Sequence, residues 1–203
     1  MRRSRWVFTA SRTARSLSEM TVGTSNGDLS IYRGDDFVQP WGYVEQGGRV
    51  IDDLVITTGS AVATSATAIF TTADSTKKLT VADGVGVADG TTMTYLSATQ
   101  VTLSASATQT RTGVAALVRA LNCSSYSAHL LQFRPSEDSA VVAAATVDVS
   151  RQSVGMFTFT LSAAQTTALG GRGVWDWQVS GPNGVTTWVK HRRWVCTKDV
   201  SHA

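Results

Sequence analysis

Apolar and polar residues alternate with a period of two through most of this chain. Phe157, Phe159 and Leu161 share one side of GMFTFTL. Trp175, Trp177 and Val179 share one side of GVWDWQV, opposite Val174, Asp176 and Gln178. Such alternation predicts half-buried strands. Similar patterns predict strands over 29–33 (LSIYR), 127–134 (SAHLLQFR), 140–149, 185–189 and 194–197. FVQPWGYVEQGG alternates loosely and holds Pro40, which predicts an edge or bulged strand followed by a turn at Gly47-Gly48. RVIDDLVIT is a strand candidate with an acidic break at Asp52-Asp53. The one helical signal is the short stretch Ser162–Leu169. Ser162 can cap it, Gln165 gives an imperfect capping box, and Gly170-Gly171 end it.

Residues 57–118 change character and are nearly all Thr, Ala, Ser, Val and Gly. Strands are expected over 66–71, 78–81, 91–96, 100–104 and 113–118. Asp83-Gly84 and Asp89-Gly90 are turn signals inside two V-A-D-G tetrads. The composition shifts on both sides of this stretch, and neither flank has enough strands to close a sandwich alone. The expected architecture is all-β: residues 26–56 and 119–201 form one β-sandwich, interrupted by a small β-barrel or β-sandwich module over 57–118.

Across the chain, Thr, Ala, Val and Ser favour strands over helices. No apolar run approaches the length of a membrane span. The net charge of +3 invites a polyanion reading. It resides in the leader, where Arg2, Arg3, Arg5, Arg12 and Arg15 face only Glu19, while the remaining residues carry 13 bases and 14 acids. Residues 1–25 read as a basic, flexible arm, and Met20 is a candidate alternative start. The apolar stretch Trp6-Val7-Phe8 is too short for a secretory signal, which needs about 7–15 residues.

The C-terminal run GMFTFTLSAAQTTALGGRGVWDWQVSGPNGVTTWVKHRRWVCTKDVS has a recurring order. A strand leads into Leu-Ser-x-x-Gln-Thr-x-x-Leu, then come an aromatic strand with Asp, a Gly hairpin, and a strand ending in Asp199-Val200-Ser201. This order resembles the Ig-like module of tailed-bacteriophage virion proteins, found in upper baseplate, minor tail and neck proteins. IYRGDDF and VIDDL fit its front half. Phe70–Asp74, Gly90–Tyr95 and Gln100–Ala107 resemble a small Thr/Ala-rich β module of phage structural proteins. There Ser75-Thr76-Lys77 replaces the usual Val-Gly-Lys, and Ala88-Asp89-Gly90 replaces Pro-Pro-Gly. The resemblance implies an Ig-like β-sandwich with an inserted module. It implies a non-enzymatic structural component of the virion, tail- or baseplate-associated, assembled in the host bacterial cytoplasm. Its implied partners are other virion proteins and further copies of the chain, as a trimer or hexamer. Capsid decoration or head-fibre attachment is the alternative, and a carbohydrate-binding host-attachment module, with Trp175 and Trp177 as an exposed pair, is a third reading.

Candidate chemistry is sparse. His129, His191 and His202 lack metal-ligand spacing, and no nucleophile has a matched base. No catalytic residue, metal or cofactor is therefore assigned. Asp35-Asp36 and Asp52-Asp53 read as turn residues bonding nearby amides. Cys123 and Cys196 read as buried thiols. Trp188, Lys190, Arg192, Arg193 and Trp194 form the candidate protein interface, since Trp and Arg are typical anchors. On one uninterrupted strand, Trp188, Lys190, Arg192, Trp194 and Cys196 would share a face, and a bulge would shift that register. The mixed basic and apolar pattern suits a protein better than a nucleic acid.

Overall fold

The computed structural model describes residues 28–182 and 184–198. Thirteen strands, one short α-helix and two single-turn 3-10 helices (Thr72–Asp74 and Gln152–Val154) are assigned among them. In chain order they are β1 (Leu29–Arg33), β2 (Phe37–Gly42), β3 (Val44–Ile56), β4 (Val62–Thr64), β5 (Leu79–Val81), β6 (Met93–Ser97) and β7 (Gln100–Leu103). Then follow β8 (Arg111–Ala120), β9 (Ser127–Arg134), β10 (Ala143–Asp148), β11 (Met156–Leu161), α1 (Ala163–Ala168), β12 (Arg172–Gly181) and β13 (Gly184–Lys198). The fold is all-β, with two compact units. The first comprises Gly42–Cys123 and Arg151–Met156; the second comprises, of the described residues, 28–41, Ser124–Ser150, 157–182 and 184–198. The composition shift at residue 57 thus falls inside the first unit, because β3 pairs along β8.

The first unit is a sheet in the order β5-β8-β3-β4-β7-β6 that nearly closes into a barrel. Closure comes from the start of β6: Thr92 bridges Lys78, and Met93 N–H donates to Lys77 O at 3.0 Å. Its core is built from Ile51, Leu54, Ile56, Leu79, Val101, Val118 and other small apolar side chains around Phe70. Small residues are what a narrow barrel interior admits. Gly47-Gly48 make no turn. They lie within β3, at a register shift where Val44 opposes Ala120 and Arg49 opposes Val118. A Cβ on Gly48 would stand 2.8 Å from Val118 O, so the bulge requires glycine there. The acidic pair likewise sits at an irregularity of β3, between Ile51 and Leu54. Asp53 accepts from Thr67 N–H at 2.9 Å and from the Ser65 hydroxyl.

No strand forms over 66–71. Arg49 of β3 donates to the carbonyls of Ala68 and Ile69, which a strand would offer to a neighbour. Its guanidinium lies 5.5 Å from the Phe70 ring centre and bonds Asp74, which Arg119 of β8 also bonds at 2.5 Å. The Asp74 side chain is 0% exposed. Burial pushes its carboxyl upward, but the two arginines and the Thr71 amide outweigh it and hold the group below the ordinary value of 3.8. The two V-A-D-G turns are fastened in the same way. Asp83 pairs with Arg111 at 2.6 Å. Arg151 pairs with Asp89 at 2.6 Å and donates to Val81 O and Ala82 O.

The second unit is a curled sheet in the order β1-β13-β12-β9-β10-β11-β2. Pro40 lies in the edge strand β2, the sheet position that tolerates proline. β1 runs parallel to β13, Leu29 opposite Trp194 through Arg33 opposite Lys198. β10 changes partner along its length: Ala143–Ala145 pair with β9 and Thr146–Asp148 with β11. The alternating aromatics all turn inward. Trp41 packs edge-on against Trp175 and Trp177 with ring centres 5.3 and 6.5 Å apart, and tilted against Phe159 at 5.5 Å. Helix α1 carries a complete capping box, Gln165 N–H to Ser162 Oγ and Ser162 N–H to Gln165 Oε1. It holds the β1–β2 turn, since Ala163 N–H donates to Asp36 and Gly34 N–H to Thr166 Oγ1.

Replacing Asp74 by Ala strands two arginine head groups. Asp74→Ala is expected to lower unfolding free energy by about 3 kcal/mol in urea titrations. The depressed carboxyls of Asp53, Asp74 and Asp83 contribute stability that is full above 3.8 and lost as pH falls through their lower folded values. The thermal midpoint should therefore drop below about pH 4, and less steeply in Asp74→Ala.

Candidate functional site

The candidate interface lies on β13, which spans the two strands expected at 185–189 and 194–197. The ladder between β12 and β13 slips: Trp177 opposes Val189, while Trp175 opposes Arg192. Two steps on β12 therefore meet three on β13, an extra residue that inverts the facing side chains. Val189 points inward before the slip, and Trp194 and Cys196 point inward after it. The single-face reading of Trp188 through Cys196 is corrected accordingly.

Trp194 is 1% exposed and forms part of the core. Its indole N–H lies 3.1 Å from Val174 O and 3.3 Å from Arg134 O. Gly173 opposes it across the ladder, and a Cβ on Gly173 would stand 2.6 Å from the indole ring. Trp194 is thus a packed ring over a glycine and no surface anchor. The glycine two positions before the Trp175–Trp177 pair was the available signal. Lys190 and Arg193 are exposed and Arg192 is half-buried. Arg193 N–H donates to Asp28 at 3.2 Å. The side chains of Trp188 and His191 lie outside the described set, as do residues 1–27 and His202.

Trp175 and Trp177 are both fully buried, so they offer no sugar platform. On the opposite face Asp176 accepts from Arg134 at 2.7 Å, and Arg134 also donates to Gln132 at 2.6 Å. This row across β9 and β12 was hidden in sequence, because Gln132, Arg134 and Asp176 become neighbours only through the strand pairing. His129 packs against Phe157 and Trp177. No group of three or more His, Cys, Asp or Glu is placed to hold a metal among the described residues. Nor is any helix among them long and apolar enough to cross a membrane.

The second unit has a shallow depression of about 550 Å³ at the start of β12, where β9 turns away at Pro135. Glu137, Arg172, Val174, Arg193 and Val195 are among the residues that line it. The chain matches no protein-family model, and no curated protein sequence matches it.

Cys123 and Cys196 are free and buried. Burial pushes the Cys123 thiol up to about 12. Burial also raises Cys196, against the opposing charge of Arg33. Both thiols should be silent to an aromatic disulfide reagent at about pH 8 and react on unfolding. Rapid labelling of the native chain would contradict the packing around β13.

Proposed function

We propose that this chain is a non-enzymatic structural component of a tailed-phage virion, acting by protein–protein contact in a symmetric assembly. The observation that carries this reading is the strand order of the second unit. An Ig-like sandwich places its first short strand parallel to its last, and this is the relation of β1 to β13. In this reading Trp41 against Trp175 and Trp177 takes the place of the B-to-F disulfide of antibody domains.

The residues that carried the resemblance coincide with structural elements in the same order: β11, α1, β12 and β13. Phe70–Asp74 supplies the ring and carboxylate that engage Arg49. In this reading the barrel is a module inserted between the second and third strands of the sandwich, after β2 and before β9. Tail or baseplate attachment is preferred, with homo-oligomers of three or six copies.

Quantitative mass spectrometry of particles of the phage that encodes the chain tests the proposal. A tail or baseplate protein should be recovered at low copy, in a multiple of three. Recovery at many copies per head would move the chain to capsid decoration. Absence from washed particles would overturn the virion role.

A further inference from the structure

We propose that the depression at the start of β12 and the end of β13 receives an acidic, extended segment of a neighbouring protein. The inference rests on the protein-contact reading above and names the chemistry of the partner. Arg172 opposes Val195, and Val174 opposes Arg193. Two guanidinium groups therefore lie on one diagonal and two valines on the other, all on one face. Val195 is 47% exposed, and Tyr32 of neighbouring β1 is 49% exposed.

The charges are the decisive feature. Arg49, Arg111, Arg119, Arg134 and Arg151 each form an ion pair. Among the described residues Arg172 and Arg193 form none, as is true of Arg33 and Arg192 outside the lining; β13 contains no acid, and the nearby Asp28 carboxylate accepts from the Arg193 backbone N–H. Diagonal cross-strand neighbours stand about 7–8 Å apart. Alternate residues of an extended chain recur at about 6.6 Å. Acids at positions i and i+2 can therefore meet both arginines on one side of the incoming segment. Apolar residues of that segment can cover Val174 and Val195.

A nucleic acid fits less well. The lining holds two arginines among mainly apolar residues, and a phosphate backbone calls for a broad basic stripe. A carboxylate partner uses both features of the surface.

The test uses the full chain and a labelled synthetic peptide in which Asp alternates with Val, read by fluorescence anisotropy. Arg172→Glu and Arg193→Glu should each weaken binding about tenfold or more. Lys190→Glu, the same charge change on β13 outside the depression, should leave binding within about twofold. Circular dichroism in the aromatic region confirms that each variant is folded. Equal losses in all three variants would overturn the site, leaving only general charge attraction. So would equal binding of a scrambled peptide with its acids adjacent, or tighter binding of duplex DNA. The two readings separate cleanly. A chain absent from particles can still bind the peptide through Arg172 and Arg193. A chain present in particles but indifferent to these substitutions sinks this inference alone.

Discussion

Trp41 is the contact on which the second unit depends. It stands at the end of the edge strand β2, while Trp175 and Trp177 come from β12 near the opposite edge of the strand order. Their edge-on packing spans the curl of the seven-stranded sheet and holds its two flanks together. Such pairs add about 0.5–1.5 kcal/mol each beyond the area they bury. Phe133, Phe157, Phe159 and Trp194 complete the same interior. A sheet with aromatics on every second residue has one strongly preferred register, since a slip of one would expose them all. The curled sheet is specified by a few large rings.

The barrel follows another rule. Its interior has one fully buried ring, Phe70, with Tyr95 packed half-buried against it, and its small side chains leave little lateral specificity. Charge supplies some of it. Arg49 and Arg119 converge on Asp74, Arg111 on Asp83, Arg151 on Asp89 and Lys77 on Glu45. Each pair joins segments distant in sequence, and several donors also satisfy carbonyls that the sheet leaves unpaired. Composition and mechanism agree: where side chains are too small to define a register by shape, fixed salt links do so.

The legible parts of the sequence are those governed by local rules. Period-two alternation places β1, β9, β11 and β12, and the Ser162–Gln165 pair marks the helix start. The Asp-Gly turns are likewise local, with Gly84 and Gly90 at φ +72° and +86°. What escaped the sequence depends on partners far along the chain. Gly47-Gly48 reads as a turn until β8 is known to pass beside it. Residues 66–71 read as a strand until Arg49 takes their carbonyls. Trp194 reads as a surface anchor because alternation cannot register the extra residue between Val189 and Arg192. Lys190 and Arg193, two of the five interface candidates, are exposed, as charge alone predicts. That Arg172 lies beside Arg193 needed the β12–β13 ladder.

The parallel pairing of β1 with β13 has a mechanical consequence. The described chain enters at the Leu29 end of this pair and leaves at the Lys198 end. Tension applied through the two ends of the chain therefore pulls β1 and β13 in opposite directions along their common axis. All five paired positions take the load together, in shear, and none can open before its neighbours. An antiparallel closing pair would peel apart one bond at a time. This geometry suits a subunit tethered at both termini within a structure that must transmit force.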